Sequence, residues 1–242
     1  MTAQAPTAAT AADHNEALYE DLWGYFELQP HTIWSAWAEI APYASDGARM
    51  LEIGPGKWPH LPADRAWFLD LSAEALSALE AAGGRCTRGA CPLPYDDAAF
   101  DVACFFELLE HVDDDAGLLR EVARVVRPGG TVFLSCPMNQ AYFTHYDAVI
   151  GHVRRYGAAD LAAKLDAAGF TIERVCARED RMAPWFGWLF GFGVRRLPGV
   201  TMAIVGRALP RVAARPWAWV DGASLDEAER AGGVTLRARR RG

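Results

Sequence analysis

A short apolar run, Met50-Leu51-Glu52-Ile53, breaks into Gly54-Pro55-Gly56-Lys57-Trp58, and glycines in such a turn let the backbone approach a ligand closely. Asp70 stands well beyond Glu52, near the end of a second apolar run, residues 66–71. A carboxylate there can accept hydrogen bonds from both ribose hydroxyls of a nucleoside ligand. Glycine turns follow strands in many folds, so it is the turn and the acid together that narrow the chemistry. A dinucleotide site would place a third glycine where the chain has Pro59, and the turn lacks the Gly-Lys-Ser/Thr ending of a phosphate loop. A pyrophosphate has no cradle here, which favours a ligand with a ribose and a zwitterionic amino-acid end.

Other residues are suited to acid–base or ligand chemistry. Tyr142, His145, Tyr146, His152 and Tyr156 fall in one short stretch; such a set can orient an acceptor or move a proton, and can equally form an ordinary hydrogen-bonded loop. Arg154-Arg155 suits an anionic ligand, although solvation or pairing with Asp147 is simpler. Asp113-Asp114-Asp115 cannot all face one ion at a helix start, where acids are favoured anyway, so no metal site is read there. Five cysteines (Cys86, Cys91, Cys104, Cys136, Cys176) are scattered and form no CxxC pair, which argues against a disulfide framework or a cysteine zinc site.

The elements that would position these residues alternate. Strands are expected at Arg49–Gly56, residues 66–71, Phe100–Phe106, residues 131–136, residues 170–176 and residues 234–240. Helices are expected over residues 73–82, capped by Ser72, over 113–126, stopped by Arg127-Pro128-Gly129-Gly130, and over 158–168, closed by Gly169. An aromatic, acidic helical stretch over 16–43, broken at Pro30, precedes them, with Leu18, Leu22, Tyr25 and Phe26 on one face. Strands alternating with helices over this length predict an α/β fold, a mostly parallel sheet with helices on both faces. Ligands then bind at the carboxyl ends of the strands.

Leu51-Glu52-Ile53-Gly54-Pro55-Gly56, Phe68-Leu69-Asp70-Leu71, Leu93-Pro94-Tyr95-Asp96, Phe100-Asp101-Val102 leading to Leu109-Glu110-His111-Val112, and Glu121 through Gly130 resemble, in order, the motifs of class I S-adenosylmethionine-dependent methyltransferases. The resemblance is closest to the small-molecule branch with LEHV and RPGG signatures. It covers about residues 48–176, and Gly151 to Tyr156 is similar to a segment some members carry. The family's fold implies a Rossmann-like, seven-stranded sheet whose last strand, residues 234–240, lies antiparallel beside 170–176. It also implies S-adenosylmethionine as cofactor. Glu52, Gly54, Pro55 and Gly56 would hold its methionine end, Asp70 its ribose and Leu71 its adenine, with Gly89, Ala90, Cys91 and Pro92 along the adenine rim. Phe106 would lie under the methionine moiety, and Tyr19, one turn before Trp23, would close over the cofactor. Two departures stand out: the family's third glycine is Trp58, and Gly89 takes the place of an acid that holds the adenine amino group in many relatives. For an oxygen or nitrogen acceptor, His111 is the first candidate general base, with His145 and Tyr146 next.

The 242 residues carry 24 basic and 31 acidic side chains, 51% are apolar and 23% charged, an ordinary globular composition. The formal charge of −7 argues against a protein that coats nucleic acid. It averages two unlike parts. Residues 1–180 carry 13 basic and 27 acidic groups, and residues 181–242 carry 11 and 4. Residues 1–15, Ala/Thr-rich with no basic start or apolar stretch, are expected to be a disordered tail and not a secretory signal. Residues 16–242 then form one domain: helices over 16–43, a cofactor-binding core over 48–180, an aromatic insertion over 181–231 and a last strand over 232–241. The uncharged aromatic run extends only from Met182 to Val194, short of the roughly 18–20 residues of a membrane span. A soluble, cytoplasmic protein is therefore expected. The insertion reads as a lid over a hydrophobic acceptor pocket, as a homodimer interface through 181–219, as a membrane-contacting surface, or as extra core. The reading reached is methyl transfer to oxygen or nitrogen of a small, partly hydrophobic acceptor. A non-catalytic binding protein, a nicotinamide-dependent oxidoreductase and a peripheral lipid-type methyltransferase are the alternatives.

Overall fold

In the computed structural model the described residues are 11–180, 189–193, 196–197, 199–201, 204 and 223–242. The expectations for residues 1–10, and for most of the insertion with Trp217-Ala218-Trp219, lie outside them. Seven strands form one sheet: β1 (Met50–Ile53), β2 (Trp67–Asp70), β3 (Arg85–Arg88), β4 (Phe100–Phe106), β5 (Val126–Pro137), β6 (Phe170–Glu179) and β7 (Gly232–Arg240). Their order is β3-β2-β1-β4-β5-β7-β6. β7 is antiparallel to β5 and β6, and the remaining pairs are parallel. The carboxyl ends of β1 to β6 therefore share one edge, and the strand order reverses beside β1.

Successive residues of the central strands face opposite sides, and both sides are buried. Leu51, Ala103, Phe105, Val132 and Leu134 join one core with Leu118, Leu119 and Val122 of α4 (Asp115–Val125) and Leu161 and Leu165 of α6 (Ala158–Ala167). Met50, Val102, Cys104 and Phe133 join the other with Ile40 of α2 (Trp37–Ile40) and Leu76 and Leu79 of α3 (Ala73–Ala81). A sheet covered on both faces explains why these strands read as continuous apolar runs.

Several expected boundaries move. The first helix, α1 (Ala11–Trp23), begins inside the expected tail. It ends in a turn at Gly24, with Tyr25 N bonded to Leu22 O, so Tyr25 leaves the expected common face and is exposed while Phe26 is buried. The Arg127–Gly130 segment does more than stop a helix. β5 already starts at Val126, and the register between β4 and β5 shifts there, a bulge accommodated by Gly129 at φ 73°. β3 (RCTR) gave no apolar signal because it is a partly exposed edge strand. The helix α7 (Leu225–Ala231), started by a Ser224/Glu227 capping box, lies within the stretch expected to be insertion.

Candidate functional site: the carboxyl edge of the sheet

At the end of β1 the chain turns through Gly54 (φ 68°) and Gly56 (φ 55°), conformations that favour glycine. Gly54 N donates to Leu69 O at 2.8 Å, tying the turn to β2. Asp70 completes the tie. Its Oδ2 accepts from Gly56 N at 2.8 Å and its Oδ1 from Ser72 N at 2.9 Å. Burial pushes the Asp70 carboxyl upward, against the backbone N–H groups of Ser72, Gly56 and Leu71 that favour the anion. Glu52 faces its own chain: its oxygens accept from His60 N and Leu61 N and pair with His60 Nδ1 at 3.0 Å. The structure thus gives Glu52 the work of shaping the turn. Phe106 lies under this loop, its ring stacked 3.9 Å from that of His60. Leu71 is half-buried next to Asp70, and Ala90, Cys91 and Pro92 form an exposed loop after β3. Gly89 N, bonded to Asp70 O at 3.1 Å, brings that loop to the same strand end.

An aromatic cover rests on the turn. A Cβ at Gly56 would stand 1.9 Å from the Trp23 ring, and one at Gly54 would stand 2.8 Å from Leu108. Trp58, the departure from the glycine pattern, is the hub of this cover. Its ring meets Trp23 edge-on at 5.1 Å and Phe26 at 4.9 Å, which reshapes the turn by clamping α1 onto it. Tyr19 stacks on Trp23 at 6.0 Å and donates to Ile150 O at 3.1 Å.

His111 sits beneath Tyr19 on a 3₁₀ turn, Leu109–His111, after β4. Its Nε2 is 3.4 Å from the Tyr19 hydroxyl and its Nδ1 is 3.2 Å from Gly151 O. Burial, helped by His152, lowers its pKa to about 3. It is therefore neutral at physiological pH and a weak base. His152 packs 4.7 Å from it, with Nδ1 held by Asp147 at 2.9 Å. Asp147 also caps α5 (His145–Val149) at Thr144 and pairs with the Arg155 Nε at 2.7 Å, both side chains buried. The expected Asp147 pairing holds for Arg155, while Arg154 reaches Asp115 at 2.6 Å. The acidic triplet divides its roles. Asp114 caps α4, and Asp115 accepts from Tyr156 at 2.8 Å and Lys164 at 3.0 Å. Among the described residues, donor atoms converge as a metal would require at Glu110, His111 and His152, all within 4.8 Å of one another. Sequence reasoning did not assemble this group, because Glu110 and His152 are remote from each other along the chain and only the fold joins them.

A second cluster, also missed, lies at the ends of β4, β5 and β6. Glu107, at φ 46°, accepts from Ser135 Oγ at 2.6 Å and from the Arg178 guanidinium. Arg155 donates to Asp180 O at 3.0 Å. Burial, then the Glu107 charge, pushes the Asp180 carboxyl up to about 6, against the pull of Arg178 and Arg155. Gly233 leaves it room, since a Cβ there would stand 2.9 Å from that of Asp180. Among the expected acid–base residues, Tyr146 faces this side with its ring 5.0 Å from Phe190, and burial raises its hydroxyl pKa. His145 packs against Gly191.

Comparison with known proteins now bears on this geometry. A family model described as a methyltransferase domain matches residues 25–175, well over half of the chain. The chain belongs to the methyltransferase-domain family. A probable S-adenosylmethionine-dependent methyltransferase of Mycolicibacterium smegmatis is 37% identical over 83 residues, 34% of this chain and 32% of that protein. A demethylmenaquinone methyltransferase of a Mycobacterium species is 31% identical over 148 residues, 56% of this chain and 63% of that protein. The chain thus spans about a third of the first of these relatives and under two thirds of the second. A solved structure of a sarcosine dimethylglycine methyltransferase homologue from Galdieria sulphuraria superposes with a TM-score of 0.60 at 15% identity, covering 95% of this chain and 99% of that one; that likeness shows the fold.

S-adenosylmethionine, the cofactor that a methyltransferase domain implies, fits the residues present. Gly54 and Gly56 offer backbone that only glycine leaves approachable, and Asp70 stands at the end of β2 beside them. Trp23 and Leu108 stand over the two glycines as side chains, so the cradle itself is backbone.

Proposed function

We propose that this methyltransferase-domain protein transfers a methyl group from S-adenosylmethionine to oxygen or nitrogen of a small, partly hydrophobic acceptor. The observation that carries the reading is Asp70 bonded to Gly56 N at 2.8 Å, which joins the ribose-type acid to the glycine turn within a matched methyltransferase domain. The nicotinamide reading loses ground because Pro59 stands where the dinucleotide pattern has its third glycine.

When bound, S-adenosylmethionine supplies an electrophilic methyl group on sulfur. The protein's contribution is alignment and exclusion of water. Asp70 and the turn hold the nucleoside, while Tyr19, Trp23 and Trp58 cover it. An acceptor hydroxyl also has to lose a proton. His111, with its pKa near 3, is poorly suited to take it, and Tyr146 is held protonated by burial. Asp180, just past the end of β6 and pushed up to about 6 by burial and the Glu107 charge, is the better-matched base. Its carboxylate would take the proton that the acceptor hydroxyl gives up on methylation. The apolar side of the acceptor fits the aromatic neighbourhood of Phe190 and Tyr146, in keeping with a quinone-type substrate in the name of one relative.

Calorimetric titration with S-adenosylmethionine and S-adenosylhomocysteine tests the reading. Binding of both in the micromolar range is expected. Binding of neither, or preferential binding of NADH, would overturn it. A screen of quinols and phenols with labelled methyl donor then identifies the acceptor.

A further inference from the structure

The described residues of the insertion between 189 and 204 expose large apolar side chains. In the helical residues 189–193, Phe190 packs on Tyr146 and joins the Trp23–Phe26 aromatic group, and Gly191 lies against His145 and Val149. In the next helical stretch, Thr201 lies against Gly193, and Gly199 against Tyr25. The inner positions are thus taken by aromatic and small side chains. Among the described residues here, Leu189, Phe192, Leu197, Val200 and Ile204 are each 58–63% exposed. Single exposed hydrophobics are ordinary, but five within positions 189–204 is the density that marks an interaction surface.

Charge selects the partner. The segment 181–220 contains six arginines and no Asp or Glu, whereas the rest of the chain carries 18 basic and all 31 acidic side chains. Four of the nine tryptophans, Trp185, Trp188, Trp217 and Trp219, fall in the same segment. Arg196 places its guanidinium 5.7 Å over the exposed Phe192 ring, so a cationic group stands beside the apolar face. Apolar residues flanked by arginine and tryptophan match the boundary between acyl chains and phosphate headgroups. A second copy of the chain is a poorer match, because a two-fold contact would press together two segments that each carry six arginines and no acid. Among the described residues no helix is long and apolar enough to cross a membrane. We infer that the exposed apolar residues Leu189, Phe192, Leu197, Val200 and Ile204 dock on the surface of a bilayer containing anionic lipid. The patch joins the site wall through Phe190 and Tyr146, so docking would set the acceptor side of the site against the membrane. The inference does not depend on which acceptor is methylated.

Cosedimentation of the full chain with vesicles tests it. The protein is expected to pellet with phosphatidylcholine vesicles containing phosphatidylglycerol, to pellet at least tenfold less with pure phosphatidylcholine, and to be released at ~1 M salt, where the Debye length is about 3 Å. The double variant Phe192→Glu/Ile204→Glu should lower the bound fraction at least tenfold with its melting temperature unchanged, since both side chains are exposed. Failure to pellet with either vesicle overturns the inference, as does equal binding to both or an unchanged double variant. If the double variant instead converts a dimer to a monomer in sedimentation velocity and vesicle binding stays as before, the patch is an interface between copies.

Discussion

Gly56 and His111 carry the sharpest expectations at the scale of single residues. Gly56 combines φ 55° with a Trp23 ring where a Cβ would go. The variant Gly56→Ala should therefore lose on the order of 1–3 kcal/mol of stability from the left-handed backbone alone. Its affinity for S-adenosylhomocysteine should fall at least tenfold; calorimetry and thermal melting check the two separately. His111 makes a prediction with a definite sign. Its pKa falls from 6.5 to about 3 in the fold, so between these values the unfolded chain binds more protons and stability decreases as pH falls through that window. Urea unfolding at stepped pH should show this loss, and His111→Asn should flatten it. Asp180 has the opposite shift, from 3.8 to about 6. Its carboxylate form grows as pH rises through 6, and activity should rise with it. Replacement by Asn should lower kcat roughly 10²-fold and remove that limb of the pH profile; an unchanged profile would assign the proton to another group.

At the scale of elements, a loop and a helix lead to opposite expectations. The loop from α5 to Tyr156 is held by a buried pair, Asp147 and Arg155, with side chains 0% and 2% exposed. Removing one member leaves the other charged and uncompensated, so Asp147→Asn should cost about 3–5 kcal/mol, read as a lowered urea midpoint. The same variant leaves His152 Nδ1 a neutral amide acceptor in place of a carboxylate, and so weakens the wall behind His111. On the sheet, Leu119 of α4 is fully buried, and Leu119→Ala should cost about 2–5 kcal/mol while leaving cofactor affinity nearly unchanged, because the helix packs on the sheet away from the glycine turn. The contrast between these two variants separates what shapes the site from what merely holds the sheet.

For the whole molecule, the split charge and the outward apolar face bear on one another. An acidic cofactor-binding sheet repels an anionic surface, so only the arginine-rich insertion can meet one, and the protein would dock in a single orientation. The cluster at the ends of β4, β5 and β6 lies next to that insertion, as Asp180 immediately precedes it.

Much of this architecture was legible in the chain. Continuous apolar runs, the helix capped by Ser72, and the order of glycine turn, acid and LEHV segment each depend on neighbours close in sequence, where local backbone chemistry decides. The edge strand β3 escaped notice because its exposure erased the apolar pattern, and α7 because its Ser224-to-Glu227 cap is a short signal beside a long aromatic insertion. What only the tertiary structure decided are contacts across long sequence separations. Glu52 turns inward to His60, Trp58 clamps Trp23 to the turn, Glu110 meets His152, and Glu107 meets Arg178. The pKa of His111 belongs with them, because desolvation depends on everything packed around a group and no local pattern encodes it. The sequence by itself thus determined the fold and the kind of cofactor. Burial and long-range pairing decided how its buried acids and bases are partnered and which way their pKa values shift.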